Sequence, residues 1–85
     1  MQLEHIALFK MIAEAKSISK VAQVSHLSQP ALSLQMQRLE DEVGQKLLER
    51  SNKGIELTPA GEILLKYAAE FNTLFENFSK DIEKL

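Results

Sequence analysis

The sequence predicts a mainly α-helical fold: a winged helix-turn-helix with three helices and a small β-hairpin wing, followed by a long C-terminal dimerisation helix. Apolar residues recur at helical spacing in three stretches before residue 44, and only a few residues separate the second from the third. Two short strand-like runs flank the turn residues Ser-Asn-Lys-Gly at 51–54. A heptad pattern follows Pro59. We therefore expect a winged helix-turn-helix domain at 1–58 and a linker helix at 59–85.

Length and composition indicate one small domain. The chain has 85 residues, 45% of them hydrophobic and 26% charged, which is typical of a globular protein. It has no Cys, so disulfides and thiolate metal sites are excluded. No apolar run approaches the ~18 residues of a membrane span, and MQLEHIALF lacks the features of a signal peptide. We expect a cytoplasmic protein without a membrane partner.

The first predicted helix runs from Leu3 to Ala15. Its residues are good helix formers, and an apolar stripe at helical spacing indicates the face that packs on the next two helices. The stripe contains Leu3, Ile6, Phe9 and either Ile12 or Ala13.

A short second helix is predicted from Ile18 to Ser25. Ser17 is its candidate N-cap, and Ile18 and Ala22 are expected to face inward, with Ala22 small enough for another helix to cross closely. His26 and Leu27 then form a brief turn. This arrangement predicts a helix-turn-helix.

The third helix is predicted from Ser28 to Val43, with Ser28 as N-cap and Gly44 as the C-terminal glycine. An apolar stripe at spacings of 4, 3 and 4 indicates its core face. The opposite face is rich in uncharged hydrogen-bonding side chains at its N-terminal end, which suits contact with base edges and phosphates, although an ordinary solvated face has the same pattern. The core stripe is Leu32, Met36, Leu39 and Val43, and the opposite face is Gln29, Pro30, Ser33, Leu34 and Gln37.

A β-hairpin follows, with runs at 46–50 and 55–57 and Lys53 at its tip. Thr58 and Pro59 then open a helix of about 26 residues. Its apolar seam is expected to pack against the same helix of a second copy, the alternative being that the helix folds back on its own domain. The seam contains Leu64, Tyr67, Ala68, Phe71, Leu74, Phe75, Phe78, Ile82 and Leu85.

Basic residues are concentrated in the middle of the chain, although the net charge is −2. Residues 15–39 carry three bases and no acid, and residues 43–55 carry three bases and one acid. Acids are concentrated at 40–42 and after Pro59. Local sign matters more than the total because phosphate attraction fades over a Debye length of ~8 Å. The distribution is compatible with a nucleic-acid partner.

No catalytic constellation is present in the sequence. His5 and His26 have no second ligand at helical spacing, and we expect both to be surface or turn residues. The paired carboxylates at 40–42 are expected to form a solvated face, and the chain has neither a Gly-rich phosphate loop nor a nucleophile elbow. We expect no enzymatic activity, no metal site and no cofactor.

The stretches SISKVAQVSHLSQPALSLQMQRLEDEVGQKLLER and ELTPAG resemble the N-terminal DNA-binding domain of LysR-type transcriptional regulators, in order and spacing. The resemblance covers essentially the whole chain. It implies a linker helix that dimerises, repressor or activator function at a promoter, and double-stranded DNA as partner. The implied site is an interrupted dyad, often AT-rich, with a T and an A flanking a nonspecific centre.

Members of this family ordinarily continue into a periplasmic-binding-protein-like domain that senses a small molecule. The chain therefore looks like a fragment of a longer regulator, in which two dimers pair and any effector acts through the domain absent here. Three positions depart from the family pattern. Ser25 stands where a buried leucine is usual, so its hydroxyl is expected to need a partner. Leu48 replaces a common phenylalanine, and Leu34 replaces a basic or polar residue.

The resemblance gives the polar side chains expected roles in DNA binding. Gln29, Pro30 and Ser33 would enter the major groove, and Leu34 could touch a thymine methyl. Gln37 and Arg38 are expected to contact phosphates, and Ser17 and Lys20 are candidates for contact with the DNA backbone at the start of the second helix. Arg50 and Lys53 on the wing are expected to contact phosphates or the minor groove.

Two alternatives remain open at these positions. Arg50 could instead pair with an acid such as Glu40, and Ser17 could act only as an N-cap. For the chain as a whole, the alternative is a helical dimerisation or protein-interaction module without significant DNA affinity, which the net negative charge favours.

Overall fold

The computed structural model describes residues 2–85, which form four helices and one antiparallel two-stranded sheet. This element order is that of a winged helix-turn-helix followed by a long helix, so the predicted fold class is confirmed. The elements are α1 (Leu3–Ala15), α2 (Ile18–Val24), α3 (Gln29–Val43), β1 (Leu48–Ser51), β2 (Gly54–Leu57) and α4 (Pro59–Glu83).

The first three helices pack around one apolar core, which the hairpin and the start of α4 close. Phe9, Ile12, Leu32 and Leu39 are fully buried, so the predicted core faces of α1 and α3 are correct at these positions. The other buried apolar residues are Ile6, Ile18, Val21, Ala22, Met36, Leu47, Ile55 and Ala68.

Two expectations for α1 are wrong, and one geometric cause explains both. Leu3 is 45% exposed, whereas His5 is buried. At about 100° per residue, Leu3 lies about 180° around the helix from Ile12, but His5 lies within about 40° of both Phe9 and Ile12. Steps of three residues drift around a helix, so the inward stripe continues to position 5 rather than to position 3. The Nδ1 atom of His5 has no hydrogen-bond partner among residues 2–85.

The turn between α2 and α3 is tight. The backbone N–H of Leu27 donates to the carbonyl of Ala22 at 3.0 Å, and His26 has a left-handed φ of 58°. His26 is exposed in this turn, as expected. Ser25 caps the C-terminus of α2 and is only half-buried. Its hydroxyl forms no hydrogen bond with another residue in the range 2–85, and the partial exposure leaves the hydroxyl accessible to water.

A side-chain cap begins α3 and a glycine backbone cap ends it. The Ser28 Oγ accepts a hydrogen bond from the N–H of Ala31 at 3.1 Å, and Pro30 lies in the first turn, where a missing N–H removes no helical bond. Gly44 ends the helix with a φ of 80° and donates to the carbonyl of Glu40 at 2.8 Å. The predicted caps of α3 are correct.

The hairpin pairs Leu48 with Leu57 and Ser51 with Gly54, so Asn52 and Lys53 form its two-residue turn. Its second strand contacts the end of α1, because the N–H of Ile55 donates to the carbonyl of Lys16 at 3.1 Å. The wing is thereby attached to the helical core.

Helix α4 begins at a Thr58 cap and leaves the core after about three turns. Ala68 is buried, and Leu64 and Leu65 are partly buried against the core. From Phe71 to the C-terminus every residue is exposed, and the longest dimension of the molecule is 48 Å. The helix therefore folds back on its own domain only at its start.

Candidate nucleic-acid interface

The N-terminal half of α3 presents an exposed polar surface. Gln29, Pro30 and Gln37 are exposed, and Ser33 is half-buried on the side that faces the wing. None of these four side chains forms a hydrogen bond or ion pair with another residue in the range 2–85, so their polar atoms are available to a partner. The amide side chains offer both a donor and an acceptor, which is the pattern needed to read an adenine edge.

Leu34 and Arg38 extend this surface along α3. Leu34 is 48% exposed although its neighbour Leu32 is fully buried. Such an apolar side chain can contact a thymine methyl group but cannot bind a phosphate. Arg38 is exposed and forms no ion pair within the described part of the chain.

The start of α2 adds a second polar surface. The Ser17 Oγ accepts from the N–H of Lys20 at 3.2 Å, so it caps the helix as the sequence predicts, and it lies 3.1 Å from the Oγ of Ser19. The cap uses an acceptor lone pair and leaves the hydroxyl hydrogen for Ser19 or for an external acceptor. The Lys20 ammonium is exposed.

The wing carries two exposed cations. Lys53 lies at the tip, where the Ser51 Oγ accepts from its backbone N–H at 3.1 Å. Arg50 lies on β1 and forms no ion pair with any residue that the structure describes. The alternative of an Arg50–Glu40 pair is therefore wrong for this structure.

An open cleft separates α3 from the wing. Ser33, Gln37 and Arg50 all line it, so the structure brings two recognition-helix candidates and one wing candidate to the same concave surface. Gln29, Pro30, Leu34, Arg38, Lys53, Ser17 and Lys20 lie outside the residues that line this cleft.

Charge is separated along α3. The acids at 40–42 lie at its C-terminal end, about 12 residues from Gln29, which corresponds to ~18 Å at 1.5 Å per residue. That separation exceeds the ~8 Å Debye length at physiological salt. Carboxylate repulsion is therefore weak at Gln29, whereas Glu40, Asp41 and Glu49 line the same cleft as Ser33, Gln37 and Arg50.

An exposed apolar surface lies on α4. Tyr67, Phe71 and Leu74 are exposed together with three further members of the predicted seam, Phe75, Phe78 and Ile82. The rings of Phe75 and Phe78 meet edge to face, with centroids 6.5 Å apart. Leu64 and Ala68 differ from the rest of the seam because they pack against the core of their own chain.

The apolar surface continues onto α1. A groove between α1 and α4 is lined by Leu3, Met11, Phe71 and Phe75, all of which are exposed. The sequence did not predict that Leu3 and Met11 belong to this surface. An exposed stripe about 20 Å long with aromatic members is a typical site of protein association.

Sequence reasoning also missed the contacts of Glu40 and Thr58. The Glu40 carboxylate accepts hydrogen bonds from two backbone amides beyond the end of its own helix, and the Thr58 hydroxyl donates to the carbonyl of Lys46. Neither contact follows a helix or strand period, so spacing alone gives no signal for either.

Other kinds of site find no support in the part of the chain that the structure describes. Residues 2–85 contain no group of three His, Asp or Glu side chains placed to hold a metal ion. Within the same range, no helix combines the length and hydrophobicity needed to cross a membrane.

A family model for bacterial regulatory helix-turn-helix proteins of the lysR family matches residues 3–62. The chain is 39% identical over 80 residues to the HTH-type transcriptional regulator TfdT of Cupriavidus pinatubonensis, covering 94% of this chain and 35% of TfdT. It is 37% identical over 83 residues to a probable RuBisCO transcriptional regulator of Cyanidioschyzon merolae, covering 98% of this chain and 27% of that protein. The chain thus spans between about a quarter and a third of the length of these relatives.

Solved structures agree with this match. The structure resembles BenM DBD in its complex with benA site 1 DNA, with a TM-score of 0.91, 32% identity, and coverage of 99% of this chain and 98% of that one. It resembles CbnR DBD in a DNA complex, with a TM-score of 0.90 and 37% identity. The match covers 99% of this chain and 97% of that one. The chain belongs to the lysR family of bacterial regulatory helix-turn-helix proteins.

Proposed function

We propose that this chain is the sequence-specific DNA-binding domain of a LysR-type transcriptional regulator and binds an interrupted-dyad promoter site as a homodimer. Residues 1–58 form the DNA-binding domain, and residues 59–85 form the linker and dimerisation helix. The relatives named above are transcriptional regulators, and two similar structures are DNA complexes by name.

The exposed N-terminal half of α3 is the observation that carries this proposal. Its unpartnered polar side chains project from a helix whose opposite face is anchored in the core. Gln29, Pro30 and Ser33 read bases in the major groove, and Leu34 contacts a thymine methyl group. A rigidly packed helix supports such readout because its side chains keep a fixed register against the base edges.

Cationic and polar groups around α3 bind the DNA backbone in this proposal. Arg50 and Lys53 reach phosphates or the minor groove from the wing. The remaining phosphate contacts come from Gln37 and Arg38 on α3 and from Ser17 and Lys20 on α2.

Dimerisation through α4 supplies the second recognition helix. The exposed stripe of Tyr67, Phe71, Leu74, Phe75, Phe78 and Ile82 supports this part of the proposal, with Leu64 at the edge of the interface. A second copy of the same helix is a suitable cover because its stripe has the same length and periodicity. Two recognition helices related by a two-fold axis then match the two halves of a dyad.

The regulator is longer than this chain in our proposal, since the relatives extend well beyond the matched region. A small-molecule effector acts through that additional domain, and dimers pair into a higher oligomer in the full-length protein. We propose no catalytic activity and no cofactor for residues 1–85, and we place the protein in the cytoplasm.

A protein-interaction module without DNA affinity is the second candidate. The apolar stripe on α4 and the net charge of −2 favour it, since both would remain useful without DNA. The two candidates differ in whether the exposed face of α3 has a function.

Fluorescence anisotropy of the Gln29→Ala variant tests the proposal. Loss of a bidentate base contact should weaken binding to the preferred AT-rich dyad by about 1–3 kcal/mol per protomer and change binding to a scrambled duplex much less. Gln23→Ala is the matched control, because Gln23 is an exposed glutamine on α2. Equal losses on both duplexes would remove Gln29 from base readout, and a folded wild-type dimer that binds neither duplex would favour the interaction module.

A further inference from the structure

The chain segment between α3 and the wing is held by the Glu40 carboxylate. Its Oε2 atom accepts hydrogen bonds from the N–H groups of Leu47 at 2.7 Å and Leu48 at 3.2 Å. Hydrogen bonds to an ionised acceptor are stronger than neutral ones, and both are partly buried. Glu40 lies in the last turn of α3, and Leu48 is the first residue of β1. The recognition helix is thus bonded directly to the root of the wing.

The opposite side of the same segment is held by Thr58, the cap of α4. Its hydroxyl donates to the carbonyl of Lys46 at 2.5 Å and accepts from the N–H of Gly61 at 3.0 Å. Its backbone N–H donates to the carbonyl of Leu47 at 3.1 Å. Two amides of this segment, those of Leu47 and Leu48, are therefore bonded to α3. Two of its carbonyls, those of Lys46 and Leu47, are bonded to the cap of α4.

The packing leaves this junction little room to move. Leu47 is 1% exposed. A Cβ atom on Gly61 would overlap the Leu47 carbonyl oxygen, so α4 approaches the segment at backbone contact distance. Small rotations of α4 relative to the wing would break these contacts, because a close-packed junction does not deform continuously.

We infer that Glu40 is a positioning residue for DNA recognition, because its carboxylate fixes the recognition helix relative to both the wing and the dimerisation helix. The inference rests on the proposed function and assigns Glu40 no contact with DNA. Arg50 lies only two residues beyond Leu48. The hydrogen bonds to Glu40 therefore set where the Arg50 guanidinium meets the DNA backbone. In the dimer, the angle between α3 and α4 sets the distance between the two recognition helices, and therefore the preferred separation of half-sites.

Binding to a set of AT-rich interrupted dyads, whose centres differ in length by single base pairs, tests this inference. Fluorescence anisotropy compares the wild-type chain with Glu40→Ala and with the matched control Asp41→Ala. Both variants remove one carboxylate from the same turn of α3, so both should raise affinity for a scrambled duplex by a similar factor. Asp41 is exposed and forms no hydrogen bond or ion pair with any residue between 2 and 85.

The wild type and Asp41→Ala should share one optimal centre length. Glu40→Ala should bind neighbouring lengths almost equally well, and its preference for the best dyad over the scrambled duplex should fall about tenfold, the equivalent of one misplaced base contact. A purely structural role for Glu40 would instead lower affinity for all duplexes in proportion to the unfolded fraction, measured by circular dichroism, and would leave the length profile unchanged. That outcome would overturn the inference.

Glu40→Asp keeps the experiment decisive if Glu40→Ala does not fold. It retains the charge but shortens the side chain by one methylene, so the carboxylate cannot hold both amides from the same helix position. The expected result is a shifted or broadened length profile with unchanged affinity for the scrambled duplex, and an unchanged profile would contradict the inference. A wild-type chain that does not discriminate among the duplexes would refute the proposed function itself.

Discussion

Replacing Thr58 by valine should destabilise the chain more than the loss of an ordinary helix cap. Valine has nearly the same shape, so the side chain still fills its site, which is only 7% exposed. The substitution removes the cap bond to Gly61, which contributes about 1 kcal/mol. It also leaves the Lys46 carbonyl without its hydroxyl donor, which costs about 1–3 kcal/mol for a partly buried group. The free energy of unfolding should therefore fall by about 2–4 kcal/mol.

Urea unfolding at one fixed protein concentration measures this difference, because the proposed dimerisation would make the apparent stability depend on concentration. Ser28→Ala is the control for a cap alone, since the Ser28 hydroxyl bonds only to its own helix, and it should cost about 1 kcal/mol. Thr58→Ser retains the hydroxyl and should lose only about 0.8 kcal/mol for the methyl group. If Thr58→Val were no more destabilising than Ser28→Ala, the hydrogen bond to Lys46 would contribute nothing to the free energy of unfolding, and the prediction would be wrong.

Three further predictions concern the dimer, the wing and the junction. Exchanging Leu74 and Phe75 for glutamate should give a monomer in sedimentation equilibrium and weaken DNA binding, and an unchanged dimer mass would exclude the proposed interface. Arg50→Ala should weaken binding to dyad and scrambled duplexes alike and reduce the salt slope by about 2 per dimer, since one phosphate contact is lost per protomer; a loss confined to the dyad would instead indicate base readout. Gly61→Ala should destabilise the chain by about 1–3 kcal/mol in urea unfolding, because the new Cβ overlaps the Leu47 carbonyl. Gly44→Ala has open space around a φ of 80° and should cost only about 1 kcal/mol. Equal losses of stability would contradict the close approach of Gly61 to Leu47.

The elements of the fold were predictable from the sequence because their signals are local. Ser28, Gly44 and Thr58 mark helix ends through bonds to residues three or four positions away. The predicted bounds of α1 agree with the structure, whereas α2 ends one residue earlier than predicted. The hairpin turn likewise depends on a few neighbouring residues.

The errors have two sources. Extending the α1 stripe in steps of three residues, which drift around a helix, places Leu3 in the core and His5 at the surface, the reverse of what the structure shows. The other errors concern contacts between elements. The anchoring bonds of Glu40 and Thr58 join residues that are 7 to 12 positions apart across a change of secondary structure. No repeat of 2 or 3.6 residues encodes such a contact.

The candidate site was predictable in its residue types but not in its geometry. The polar face of α3 follows from periodicity, and its exposure agrees with the expectation. That Ser33, Gln37 and Arg50 line one cleft requires the hairpin to pack beside α3, which depends on the bonds of residues 46–48. Their roles in DNA binding stay predictions.

A dimer of this chain is proposed to bind a specific dyad through α3 and the surrounding cations. Anisotropy titrations of the wild type with an AT-rich interrupted dyad and a scrambled duplex, repeated across salt concentrations, test this binding. We expect tighter binding to the dyad, with log K falling linearly against log salt. The slope should be about −7 if Lys20, Arg38, Arg50 and Lys53 each contact one phosphate, which gives about eight contacts per dimer. A folded dimer that binds both duplexes equally, or neither at low salt, would contradict the claim.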